Sequence, residues 1–233
     1  MRIKIYADGA RLEDMLVASR SGTISGLTTN PTLMRHAGLT DYVAFAKDVL
    51  SRITEFPISF EVFADDFPTM EKQAREIATW GKNVYVKIPV TNTKREPTTE
   101  LVRELAGAGV KLNVTAICTV AQVRDVARAL EGGAPSVVSV FAGRVADTGR
   151  DPIPLMQESL TLCRAAGKLV ELLWASPREL LNIIQAAEIG CDIITVTPDL
   201  LKKLELVGKD LGAFSLETVQ MFFRDAQAAG YRL

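Results

Sequence analysis

The chain has 233 residues, 48% hydrophobic and 24% charged, a globular balance that excludes a disordered polymer and can fill one large core without staples. Lys and Arg number 27 against 28 Asp and Glu, so the net charge of −1 gives no field for nucleic acid or an anionic membrane surface. Cys118, Cys163 and Cys191 form no C-x-x-C pair, no apolar run reaches the about 18 residues of a membrane span, and Met1–Asp8 alternates like a strand rather than a signal peptide. These features predict a cytoplasmic protein with reduced thiols.

In chain order, β-branched runs predict strands at Ile3–Ala7, Ile24–Leu27, Ile58–Phe63, Val84–Ile88, Leu112–Val114, Val137–Val140, Leu169–Leu173 and Ile193–Val196. Amphipathic stretches between them predict helices, among them Met70–Trp80, Thr99–Gly109, Val120–Leu130, Leu155–Ala166 and Arg178–Ile189. Glycines at or just after these stretches supply the stops. A last helix is expected over Ser215–Ala229, capped by Ser215, with Leu216, Val219, Phe222, Phe223 and Ala226 along one side. Eight strand–helix repeats predict an α/β fold closed as a (βα)8 TIM barrel. It is expected as one domain over residues 1–233, with residues 215–229 as an added C-terminal helix. An open doubly wound sheet is the alternative, yet Ala7-Asp8-Gly9-Ala10-Arg11 lacks the G-x-G-x-x-G turn such a sheet usually carries.

Barrels gather chemistry where strands end. Read in that order, the ends offer Asp8, Thr28-Thr29-Asn30-Pro31, Glu61, Lys87, Asn113 with Thr115, Ser139 with Arg144, and Ser176 with Arg178. His36 is the one histidine, read as structural or on the surface, so a multi-histidine metal site is excluded and no metal is expected. Lys87 interrupts the apolar strand Val84-Tyr85-Val86-Lys87-Ile88, where desolvation would favour a neutral amine able to attack a carbonyl. The alternatives are a lysine snorkelling from the strand end or one paired with Glu61. Asp8 and Glu61 could divide acid and base roles, and Asp8 alone also reads as a helix cap. Asn30, Asn113, Thr115 and Ser139 could bind sugar hydroxyls or serve as turn residues. Arg144 and Arg178 are candidate anion clamps, Cys118 reads as packing, and the basic Asn92–Pro97 loop is read at the mouth of the site.

Together these segments resemble the transaldolase family, in its short subgroup that includes the fructose-6-phosphate aldolases. The resemblance rests on Gly26-Leu27-Thr28-Thr29-Asn30-Pro31, Val86-Lys87-Ile88-Pro89-Val90-Thr91, Leu112-Asn113-Val114-Thr115-Ala116 and Ser139-Val140-Phe141-Ala142-Gly143-Arg144. Ala175-Ser176-Pro177-Arg178 is similar to the family's later phosphate motif, with Pro177 its least usual element. The resemblance implies that Lys87 is a Schiff-base lysine, Asp8 the acid/base for C–C cleavage, and Glu61 with Thr115 the holders of a catalytic water. It implies donor contacts from Thr29, Asn30, Asn113 and Ser139, and phosphate contacts from Arg144, Ser176 and Arg178. Glu61 and Phe141 match the transaldolase branch, where the aldolase branch typically has Gln and Tyr. The implied activity is transfer of a dihydroxyacetone unit between sugar phosphates without a cofactor. Release of free dihydroxyacetone is the nearest alternative, and a non-catalytic sugar-phosphate-binding barrel a more distant one. The implied partners are sugar phosphates and further copies of the chain, as pentamer-based decamers joined through the C-terminal helix, with no nucleic acid or membrane.

Overall fold

In the computed structural model, which describes residues 3–232, eight parallel strands each pair with the next and the last closes onto the first. They are β1 Lys4–Asp8, β2 Gly26–Thr28, β3 Ile58–Glu61, β4 Val84–Pro89, β5 Leu112–Ile117, β6 Ser136–Val140, β7 Val170–Trp174 and β8 Ile193–Val196. The first helices are α1 Leu12–Arg20, then α2 Pro31–His36 and α3 Tyr42–Arg52, α4 Phe67–Ala78, α5 Thr99–Gly107 and α6 Val120–Leu130. They are followed by α7 Ala142–Ala146, α8 Ile153–Ala166, α9 Leu181–Glu188, α10 Pro198–Lys202 and α11 Leu211–Ala229. This is a (βα)8 TIM barrel followed by a C-terminal helix, as the strand–helix alternation predicts. The chain divides into two compact units, Met1–Leu201 with the barrel and Lys202–Leu233 with α11. Among the described residues, no helix is long and apolar enough to cross a membrane.

Several boundaries differ from the sequence expectation, each for a local reason. Helix α11 begins at Leu211 rather than Ser215, because the Asp210 carboxylate accepts from the Ala213 amide at 2.8 Å and caps it earlier. The helix expected from Arg178 starts at Leu181, because Asn182 Oδ1 takes the amides of Arg178 and Glu179 in a turn outside it. Strand β5 continues to Ile117 past a register shift after Val114, where Ala116 adopts φ 63°. Two helices rather than one, α2 and α3, follow β2; they are started by the side chains of Asn30 and Asp41, which accept from the amides of Leu33 and Ala44.

Alternation along each strand explains the layering. Outward residues such as Leu27, Phe60, Val86, Ile88, Val114 and Leu172 are fully buried against the helices. Burying each side chain of this size contributes about 1.5–3 kcal/mol before entropy is counted. Inside the barrel, Tyr6, Val137, Leu173, Ala175 and Ile193 pack together, with Tyr85 and Phe141 against them. That apolar plug leaves the C-terminal ends of the strands for polar side chains.

Helix α7 and the loop after β7 meet at Gly143, where a Cβ would lie 1.6 Å from the Ser176 carbonyl oxygen. Backbone cannot yield as a flexible side chain would. Gly143→Ala is therefore expected to lose roughly 2–3 kcal/mol of stability in urea unfolding. Gly107→Ala, where a Cβ meets nothing within 4 Å, is expected to gain up to about 1 kcal/mol.

Candidate active site

Inward-facing residues of all eight strands, or the residue just beyond the strand, line one cavity of about 480 Å3. Lys87 enters it from β4, in register with Glu61 on β3 and Asn113 on β5. The lysine is 6% exposed. Its Nζ donates to the Thr29 carbonyl at 2.8 Å and lies 3.3 Å from Glu61 Oε2. A buried ammonium with no partner would cost several kcal/mol, so the pairing is what makes this position tenable. The Glu61 pairing and the nucleophile reading are compatible here, because the same carboxylate can receive the proton the amine must lose.

Asp8 ends β1 on the neighbouring side. Its Oδ1 accepts from Thr28 Oγ1 at 2.8 Å, and its Oδ2 from Asn30 Nδ2 at 3.4 Å. Thr28 Oγ1 in turn lies 2.5 Å from Thr195 Oγ1 on β8. Burial raises the Asp8 pKa above the ordinary carboxylate value, while the nearby Lys87 charge and the Thr28 hydrogen bond pull it back and Glu61 adds to the rise. Asp8 caps no helix, since α1 begins after Arg11. Asn30 does two jobs: it starts α2 through Oδ1 and reaches Asp8 through Nδ2.

Across the cavity, Ser139 Oγ donates to Asn113 Oδ1 at 2.6 Å, and Asn113 Nδ2 donates to Ser59 Oγ at 3.0 Å. This chain fixes which way the amide faces. Thr115 and Phe141 line the same space. At the outer end stand Arg144, whose guanidinium lies 5.5 Å from the Phe141 ring centre, and Ser176, held at φ 60°. Arg178 lines this end too, and its Nε donates to Asp147 Oδ1 at 2.9 Å while its second nitrogen meets the other oxygen. That pairing holds the Asp147 carboxyl below its usual pKa range.

Asp8, Asn30, Glu61, Lys87, Asn113, Thr115, Ser139, Phe141, Arg144, Ser176 and Arg178 all line this cavity, and Thr29 does not. Thr29 is fully buried, with its hydroxyl donated to the Ser59 carbonyl at 2.9 Å and its own carbonyl turned to Lys87. It positions the lysine rather than facing the cavity. Thr195, Ser59 and Asp147 were missed. Thr195 was readable in principle, because counting by twos from the inward Ile193 puts it inside. The Asn92–Pro97 loop folds as a tight hairpin whose amides at Lys94 and Glu96 bond to Asn92 Oδ1, and none of its residues lines the cavity. Burial pushes the Cys118 thiol pKa up, in keeping with packing.

A protein-family model described as transaldolase/fructose-6-phosphate aldolase matches residues 5–233. A probable transaldolase of Dehalococcoides mccartyi is 35% identical over 202 residues, covering 87% of this chain and 90% of that relative. A probable transaldolase of a Thermoanaerobacter species is also 35% identical, over 87% of this chain and 89% of that one. Among solved structures, 3-hexulose-6-phosphate synthase from Salmonella typhimurium superposes with a TM-score of 0.57 at 17% identity, covering 84% of this chain and 89% of that one. At this identity the likeness concerns the barrel alone.

The raised Asp8 pKa has a consequence for stability. The folded state holds this proton at a higher pH than the unfolded chain does, so stability falls as pH rises through the folded pKa. Asp8→Asn removes that cost. Its unfolding temperature is expected above that of the parent at pH 7, with the gap closing as pH falls into the ordinary carboxylate range.

Proposed function

The chain belongs to the transaldolase/fructose-6-phosphate aldolase family, and on that premise we propose that it is a transaldolase. It carries a dihydroxyacetone unit from a ketose phosphate to an aldose acceptor through an imine on Lys87. The observation that supports this most is the placement of the Lys87 amine, shielded from bulk water, facing a cavity, with a carboxylate 3.3 Å away.

Lys87 passes a proton to Glu61, and the free amine attacks the ketone carbon of the donor. Glu61 returns that proton to the carbinolamine hydroxyl, which leaves as water held by Glu61 and Thr115, and an iminium forms. Asp8 then takes the proton from the C4 hydroxyl while the C3–C4 bond breaks, and its electrons flow into the iminium to give an enamine. The aldose phosphate departs. An acceptor aldehyde enters, the enamine carbon bonds to its carbonyl carbon, and Asp8 returns the proton to the new hydroxyl. Hydrolysis of the iminium frees the new ketose and Lys87. Asn30, Asn113 and Ser139 bind donor hydroxyls, and Arg144, Ser176 and Arg178 bind the phosphate.

The raised pKa of Asp8 suits a group that must both take and return a proton. Its basic form is the one required for cleavage, so activity falls as pH drops through that raised value. Phe141 in place of a hydroxyl-bearing ring favours an enamine that waits for an aldehyde rather than being protonated.

The protein is further proposed to work without a cofactor, in the cytoplasm, as a homo-oligomer. Helix α11 supports the last point: Leu211, Phe214, Leu216, Val219, Met221, Phe222 and Phe223 are all exposed and, at 100° per residue, spread over more than half its circumference. A helix apolar on so many sides is normally covered. Light scattering is expected to give a mass several times 25.4 kDa, and a monomer at micromolar concentration would contradict this.

Borohydride reduction in the presence of fructose 6-phosphate tests the mechanism. A reduced three-carbon or six-carbon adduct on Lys87 is expected, with Lys87→Ala losing roughly 10⁴-fold or more in kcat. An adduct at another lysine would reject it. Rapid stoichiometric release of dihydroxyacetone without acceptor would favour an aldolase, and sugar-phosphate binding that survives Lys87→Ala with no turnover would favour a binding protein.

A further inference from the structure

Glu61 sits where the sheet loses a neighbour. The β2–β3 ladder ends at the Thr28–Ser59 pair, with one further bond from the Thr29 amide to the Ser59 carbonyl at 3.2 Å. The chain then turns at Asn30 into α2. On its other side, β3 still pairs Glu61 with Lys87, and the Val62 amide donates to the Lys87 carbonyl at 3.1 Å. The N–H and C=O of Glu61 therefore point to the vacated side, where a parallel strand would normally have satisfied them.

One hydroxyl fills that gap. Tyr42 Oη accepts from the Glu61 amide at 2.7 Å and donates to the Glu61 carbonyl at 3.0 Å. The ring that carries it is wedged among Phe63, Trp80 and Phe60, with centroids 4.4, 5.6 and 6.1 Å away, all edge-on. Tyr42 begins α3, so the helix added between β2 and β3 is what brings the hydroxyl to the strand end. Burial keeps this phenol protonated at any working pH, which preserves its double role as donor and acceptor.

We propose that Tyr42 is a positioning residue for Glu61: its hydroxyl stands in for the missing strand and holds the carboxylate at the distance from Lys87 that proton exchange requires. The inference rests on the function proposed above. Tyr42 does not line the cavity, so it acts through the Glu61 backbone and not on substrate.

The test is Tyr42→Phe, which keeps the ring and removes the hydroxyl. Single-turnover imine formation with fructose 6-phosphate, quenched with borohydride, is read as both a rate and an amplitude. The rate is expected to fall about tenfold, in line with losing hydrogen bonds to one buried peptide, with donor KM within about twofold of the parent. A variant that simply folds less well would lose amplitude and keep its rate. In a Glu61→Gln background, removing the hydroxyl is expected to change the rate by less than about twofold, since the carboxylate it aligns is gone. An unchanged rate in Tyr42→Phe overturns the proposal, as does an equal slowing in both backgrounds. If the parent enzyme itself forms no adduct on Lys87, the proposed function fails and takes this inference with it, an outcome separable from the other two.

Discussion

The Lys87–Glu61 pair is the constraint around which the rest of the barrel is arranged. Two charged groups inside a sheet are costly to desolvate, and they persist only where geometry and extra hydrogen bonds offset that cost. The fold supplies both. Register places the two side chains on adjacent strands at the same level, the Thr29 carbonyl accepts a hydrogen bond from the lysine, and the cavity leaves the amine open on one side. Everything else in the site is organised by distance from this pair. Asp8 stands to one side with its own chain of threonines, Asn113 and Ser139 stand opposite, and the arginines lie at the outer end.

The barrel splits stability and chemistry along its axis. Its interior is apolar around Tyr6, Val137 and Leu173 and polar above them. The outward faces of the strands, packed under helices, supply the bulk of the burial energy. The polar layer can therefore hold a carboxylate whose ionisation is penalised, as at Asp8, without dismantling the core. Stability spent at one end of the strands is recovered along their length.

The architecture was readable because period-two strands and glycine-stopped helices repeat eight times, and a parallel barrel is the closure that fits such a count. The polar layer of the cavity was readable for a related reason: Lys87, Asp8 and Glu61 interrupt apolar runs, where a charged residue demands an explanation. Thr29 illustrates the limit. Its neighbours Thr28 and Asn30 face the site, and nothing in the sequence separates its hydroxyl from theirs; the Ser59 carbonyl settles the matter in three dimensions. Tyr42 was invisible for the opposite reason, since its partner is a backbone and backbones leave no trace in residue identity. The pairing of Arg178 with Asp147 likewise joins residues 31 apart that no local pattern links.

In the proposed mechanism the donor's carbonyl oxygen leaves as water when Lys87 forms its imine. Oxygen exchange reads that step without trapping any intermediate. In water enriched with oxygen-18 and without an acceptor, the ketone carbon of fructose 6-phosphate should gain label far faster than in the uncatalysed solution. Replacement of Lys87 by alanine should return exchange to the background rate. Transfer of the three-carbon unit with exchange no faster than background would mean that the reaction proceeds without an imine, and would contradict the account.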